Sequence, residues 1–153
     1  MIRNRLLVTA ALLAFNLTLP AKAADDVVTF KAQGSFQDAM FDLENSIVNR
    51  GYVVESHSYI AKMLQRTAAD VGADKQLYLN AEILQFCSAV VSRAAMATDI
   101  ENVAYCPYGI FAYEAAANPG EVLVGYRKLP PGGGRDDVNA LLDEMVREAA
   151  GAQ

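Results

Sequence analysis

Tyr108-Gly109-Ile110-Phe111-Ala112-Tyr113-Glu114, followed downstream by Val122-Leu123-Val124-Gly125-Tyr126, is the stretch that decides the fold. Both runs are rich in aromatic and β-branched residues, which suit a pleated, half-buried strand. Between them stands Asn118-Pro119-Gly120. Proline presets φ for position i+1 of a type II turn, and glycine supplies the positive φ that i+2 requires. The two runs are expected to pair as an antiparallel hairpin.

Working outward from the hairpin, residues 27–32 alternate, with Val28 and Phe30 on one face, and read as a strand. Gly34-Ser35 ends it. Ser35 with Asp38 three residues on forms an N-cap of capping-box type. Phe36, Met40, Leu43 and Ile47 then recur at spacings that share one helical face. Gly51 stands where a left-handed residue would follow the helix. Residues 52–56 read as a short strand. Ser58 is expected to cap a second helix with the stripe Ile60, Met63, Leu64, Thr67 and Val71, stopped by Gly72. Residues 77–86 read as a strand, although 81–85 also fit a helix. Ser88 is expected to cap a short helix through Ala97. Residues 130–134, Pro-Pro-Gly-Gly-Gly, read as a linker. Val138, Leu141, Leu142, Met145 and Val146 mark an amphipathic C-terminal helix, able to dock on the sheet or on a partner.

The expected fold class is α+β. A single domain over 24–130 carries a mixed or mainly antiparallel sheet with helices on one face, followed by the linker and helix at 131–153. A parallel α/β sheet is the alternative. The short, partly polar strands and the lack of glycine-rich strand-to-helix turns argue against it.

The N-terminus reads as an address rather than as part of the fold. Arg3 and Arg5 precede an apolar run over 6–19, Pro20 breaks it, and Ala21-Lys22-Ala23 is an A-x-A cleavage site. Residues 1–23 are expected to be a cleaved signal peptide of bacterial style, with an uncleaved anchor as the alternative. No cysteine follows the apolar run, so lipid attachment is not expected. Cleavage before Ala24 removes three of the 13 basic groups (Arg3, Arg5 and Lys22) and none of the 18 acidic ones, moving the net charge from −5 to −8. Nucleic acid and anionic lipid are therefore disfavoured as partners, because phosphate neutralisation needs an excess of Lys and Arg. The expected compartment is the periplasm or the exterior, with no membrane contact after cleavage.

The chemistry-bearing residues are few. Cys87 and Cys106 are either a disulfide, which an oxidising compartment allows, or two buried thiols packing as small hydrophobes. A bond between them would close a loop worth roughly 3 kcal/mol. A redox-enzyme role would need a thiolate stabilised by nearby cations; there is no C-x-x-C motif, and Lys and Arg are sparse near both thiols. His57 is the only histidine, which excludes a multi-histidine metal site on one chain. At the junction of the second strand and second helix it is a candidate general base or metal or haem ligand, with Met63 one turn on. The plainer reading is a surface or capping histidine. Arg66 and Arg93 either grip an anion or lie on a solvated helix face. Tyr105, Tyr108 and Tyr113 near Cys106 are packing residues or the wall of an apolar ligand groove. Met63 and Met96 are expected to fill the core. Asp136-Asp137 suit the start of the last helix through its dipole. There is no G-x-S-x-G elbow and no calcium-loop pattern.

Several of these elements together resemble the domain-of-unknown-function 302 family. The likeness covers 34–129 and rests on Phe36, Met40, Leu43 and Ile47 leading to Gly51-Tyr52-Val53-Val54, on Glu82-Ile83-Leu84-Gln85-Phe86-Cys87, on Tyr105-Cys106-Pro107-Tyr108, and on the hairpin. Commoner members show Cys-Asn-Pro where this chain has Cys87-Ser88-Ala89, and Leu-Pro-Cys where it has Ala104-Tyr105-Cys106. The chain is more similar to an exported subgroup with Phe-Cys-Ser and Cys-Pro-Tyr elements. The resemblance implies a small α+β fold, often dimeric, and no established activity.

The functional expectation is an exported, non-enzymatic binding or accessory protein, homodimeric, holding a small apolar or planar ligand or a partner protein. A haem- or metal-binding redox accessory protein using His57 is the alternative. A thiol-dependent enzyme is the third reading.

Overall fold

The computed structural model describes residues 26–151. The expected signal peptide lies outside the described residues. Five strands form one antiparallel sheet: β1 (Val27–Lys31), β2 (Val54–Tyr59), β3 (Tyr78–Phe86), β4 (Tyr108–Ala115) and β5 (Val122–Arg127). Their order across the sheet is β1-β5-β4-β3-β2. The first two strands therefore occupy opposite edges, and helix α1 (Phe36–Val48) must carry the chain across the whole sheet to join them. The later strands return edgewise, each pairing with its predecessor, until β5 closes against β1. The fold is a single α+β domain with an antiparallel sheet, as the hairpin implies.

Two helices cover one face of the sheet. Phe36, Ala39, Met40, Leu43 and Ile47 of α1 are buried, together with Val138, Leu142, Met145, Val146 and Ala149 of α4 (Arg135–Ala150). They pack on Leu84 and Phe86 of β3, Tyr108, Ile110 and Ala112 of β4, and Val122, Val124 and Tyr126 of β5. β3, β4 and β5 thus point alternate residues into one core, and Val28 and Phe30 of β1 pack against it partly buried. The C-terminal helix docks on the sheet. Asn139 fixes it there: its side-chain oxygen accepts from the Leu129 N–H at 2.8 Å, and its amide donates to the Leu129 carbonyl at 3.0 Å. Across the helix pair, Arg50 reaches Glu144 and Glu148, each at 2.8 Å.

The local signals work where they are strongest. The Ser35 hydroxyl accepts from the Asp38 N–H, and the Asp38 carboxylate accepts from the Ser35 N–H, closing the capping box. Donation to it from the Ser35 hydroxyl at 2.7 Å, and then from the Ser35 N–H, holds the Asp38 carboxyl below its ordinary range. Ser88 caps α3 (Ala89–Thr98) by accepting from the Val91 N–H. Gly120 takes φ 83°, and the Glu121 N–H donates to the Asn118 carbonyl at 3.2 Å, as the type II turn requires.

The second strand and second helix differ from the sequence expectation. β2 runs through His57 and Ser58, which pair with Leu84 and Ile83 of β3. Helix α2 starts only at Ile60, and its N-cap is Tyr59, with no side-chain hydrogen bond. Ser58 is not a cap, and His57 does not open a helix. Pairing with a long neighbouring strand has overridden a local capping signal, because each extra rung satisfies backbone groups that a cap would satisfy only once. α2 ends at Thr67; Val71 belongs to a separate 3₁₀ turn over Ala69–Val71, closed by Gly72 at φ 66°. The helix buries none of its residues. Met63 is exposed and not a core filler. The covered face of the sheet is already taken by α1 and α4.

Candidate functional site

The route from β3 to β4 is a long excursion holding α3 and a 3₁₀ segment, Ile100–Tyr105. The antiparallel register pairs Phe86 with Tyr108, so the residues just outside that rung are brought together. There Cys87 and Cys106 are disulfide-bonded, with Cα atoms 6.1 Å apart. The bond ties off the base of the excursion. The disulfide reading of the two cysteines holds, and neither thiol is free.

Beside it lies a cleft of about 570 Å³. Its walls are Tyr105 and Pro107, which flank Cys106; Tyr108, Gly109 and Phe111 of β4; Ile83 and Gln85 of β3; and Arg127 and Lys128 at the end of β5. Asp26 and Leu142 also line it. The volume falls in the range of small-molecule sites. Glycine shapes it. Gly109 offers no side chain to fill the notch between its neighbours, and Gly125 lets the Phe111 ring lie across β5. A Cβ at Gly125 would sit 2.6 Å from that ring and against the Val28 carbonyl.

One wall is held by a clamp that the sequence reading did not single out. Arg135 follows the glycine run and lies over the Tyr105 ring at 5.6 Å. Its guanidinium donates to the Pro130 carbonyl at 2.8 Å, the Pro131 carbonyl at 3.2 Å and the Asn102 side-chain oxygen at 2.9 Å. Asn102 is buried and donates to the carbonyls of Ala95 and Gly133, both at 2.7 Å. The run at 130–134 is thus not a slack tether. It wraps a guanidinium and fixes Tyr105 in place. Gln85 is likewise positioned, because its side-chain oxygen accepts from the Ser56 hydroxyl at 2.7 Å. That leaves its amide N–H groups to donate.

The other candidates lie elsewhere. His57 stacks on Tyr59, with ring centroids 4.2 Å apart, and its Nε2 is 2.6 Å from Glu82 Oε2. Met63 and Arg66 line a separate shallow groove with Ser58, Tyr59, Ile60 and Lys62, to which His57 does not contribute. Arg93 is exposed on α3. The structure therefore brings together Tyr105 and Tyr108, and keeps them apart from the His57 and Met63 pair. Among the described residues, no three His, Cys, Asp or Glu side chains form a group able to hold a metal ion. No described helix is long and apolar enough to cross a membrane. At the far end of the β4–β5 hairpin the Glu114 carboxyl is held below its ordinary range by the Gly120 N–H and the Asn80 amide. On the covered face, burial and the Asp143 carboxylate push the Tyr126 phenol up to about 12.

Arg127, Lys128, Gln85, Asn102 and Arg135 were not singled out from the sequence. An arginine directly after three glycines, and a basic pair ending a strand in an acidic chain, are the signals that point to two of these places. No family model matches the chain, and no curated protein matches it. Among solved structures, it is similar to the crystal structure of an uncharacterized conserved protein, DUF302, from Bacillus stearothermophilus. The TM-score is 0.67 at 16% identity, over 82% of this chain and 99% of that one. At that identity the likeness is one of fold, and it is the fold that the sequence resemblance implies: this chain has the architecture of the domain-of-unknown-function 302 protein.

Proposed function

We propose that the chain is an exported, non-enzymatic binding module whose ligand site is the cleft beside the disulfide. The observation that carries this reading is a preorganised pocket lined by binding groups. Aromatic side chains, an amide, two cations and the Asp26 carboxylate belong to its lining, which includes no Ser, His or Cys among the described residues. Such a lining supports holding a ligand rather than cleaving one. The disulfide fits an oxidising compartment, and the N-terminal residues 1–23 fit export. The test is native mass spectrometry of mature protein purified from the exporting host, alongside a Tyr105→Ala variant. A retained small molecule that the variant loses is the expected result. A ligand-free protein that also binds nothing from a metabolite extract overturns the reading. Protein from the same preparation should begin at Ala24.

The partner in this reading is a second copy. The face of the sheet opposite α1 and α4 presents Ile83, Phe111, Tyr113 and Leu123, all only half-buried. Five strands about 4.8 Å apart and roughly 20 Å long give a footprint on the order of 500 Å² before side-chain relief is added. Two such faces together would bury on the order of 1,000 Å², the lower bound for a specific interface. Sedimentation equilibrium should give a dimer, and Tyr113→Asp, on the same face but outside the cleft lining, should give a monomer. A native monomer at all concentrations rules out the pairing.

A further inference from the structure

We propose that the cleft selects a small planar monoanion, an aromatic or otherwise flat body carrying one carboxylate. The inference rests on the cleft being a binding site and adds the class of ligand. The argument begins with charge. The chain is acidic, with 18 Asp and Glu against 13 Lys and Arg. Against that background two successive cations, Arg127 and Lys128, line one cleft. Some arginines are paired, Arg50 with Glu144 and Glu148 and Arg147 with Asp143 at 2.6 Å; Arg66 and Arg93 are unpaired among the described residues, but neither lines this cleft. Among the described residues neither Arg127 nor Lys128 has an ion-pair partner within 4.0 Å.

Register explains why the guanidinium lies on the cleft side. Side chains alternate along β5, and Val122, Val124 and Tyr126 point into the core. Arg127 is therefore directed to the open face, level with Gly109, whose missing side chain leaves the space beside it. Gln85 pairs with Gly109 on the next strand. Its carbonyl oxygen is engaged by Ser56, so the group it can offer a ligand is an N–H donor. A guanidinium, an ammonium and an amide N–H all favour a carboxylate over a neutral or cationic group. Asp26 also lines the cleft and carries the opposite charge. It offsets one of the two cations and leaves a net of one positive charge, which matches a monoanion better than a dianion. The rest of the lining sets the body of the ligand. Tyr105, Pro107, Phe111 and Ile83 are flat or apolar, and Tyr105 is held in orientation by Arg135.

The experiment uses mature, disulfide-intact protein and two probes of equal shape, naphthoate and naphthamide, titrated by calorimetry with and without added salt. Naphthoate should bind about tenfold tighter than naphthamide, the size of one well-placed charge-assisted contact. Salt should weaken it, and Arg127→Gln should abolish the difference between the probes. Tyr105→Ala should weaken both probes, and an unchanged melting temperature of each variant checks that the fold is intact. Equal binding of the two probes overturns the monoanion assignment while leaving the cleft as a site. Naphthoate binding that Arg127→Gln and Lys128→Gln leave untouched overturns it as well. Failure of both probes to bind removes the cleft reading itself.

Discussion

The two faces of the sheet are built from the same strands and differ residue by residue. Along β4, Ile110 and Ala112 are sealed under α1 and α4, whereas Phe111 and Tyr113, their immediate neighbours, stay half-buried on the other side. Along β5, Val124 is fully buried, and Leu123 is not. One face is apolar and closed. The other is apolar and open, and it carries the glycines that shape a cleft. An apolar residue in a strand therefore does not by itself say core; what covers it does. Ile83, Phe111, Tyr113 and Leu123 lie on the sheet face that α1 and α4 leave uncovered, and contiguous exposed apolar patches are the usual mark of an interaction surface.

Adjacent substitutions can break this contrast. Ile110→Ala removes a fully buried side chain from a close-packed layer and should cost about 2–5 kcal/mol in chemical denaturation of the dimer-free protein. Phe111→Ala should cost roughly half as much or less, because its ring is only partly removed from water. Equal losses at the two positions would mean that the open face is a core in its own right.

The disulfide lies outside both faces, at the end of the sheet that bears the cleft. Cys87→Ser frees the excursion through α3 and should cost about 3 kcal/mol by loop entropy. It should also weaken naphthoate binding, because Tyr105 and Pro107 flank Cys106 and form the cleft wall. A variant that is destabilised yet binds as well as the native protein would show that the Arg135 clamp alone holds the wall.

The covered face also has a signature in pH. The Tyr126 phenol is pushed up to about 12 by burial and by Asp143, to which it donates at 3.2 Å. In the unfolded chain it ionises near the ordinary value of 10.0. Its contribution to stability is therefore whole below pH 10 and is lost as the pH rises toward 12. Melting temperatures of native protein and Tyr126→Phe should run parallel up to pH 10 and converge above it.

How much of this was legible in the chain follows from the range of the interactions involved. Asn118-Pro119-Gly120, the Ser35 and Ser88 caps and the Phe36, Met40, Leu43, Ile47 stripe act within a few residues, and each is in place. The boundary between β2 and α2 was misplaced because pairing with β3, a partner more than twenty residues away, decides it. The cleft was half legible. Of the expected tyrosine wall, Tyr105 and Tyr108 line the cleft and Tyr113 does not. Arg127, Lys128 and Gln85 could not be read, because they meet only when three strands take their register. Arg135 carried no signal of its own beyond following three glycines. Its role depends on a buried asparagine 33 positions upstream.

The smallest effect is expected at His57, the residue that most invites a functional reading. Its Nε2 is 2.6 Å from Glu82, and both side chains are partly open to solvent. A pair of that kind contributes at most about 1 kcal/mol, so His57→Ala should barely move the denaturation midpoint. The pair also bears on haem. A metal at Nε2 would have to displace the carboxylate, and Met63 lies in a groove that His57 does not line. Haem added to the native protein should give no saturable Soret band that His57→Ala removes. If such a band forms, the edge of the sheet at β2 is a second site, and the contrast between a closed face and an open, ligand-bearing one is incomplete. If it does not, what His57 contributes is its pair with Glu82, a tie between β2 and β3.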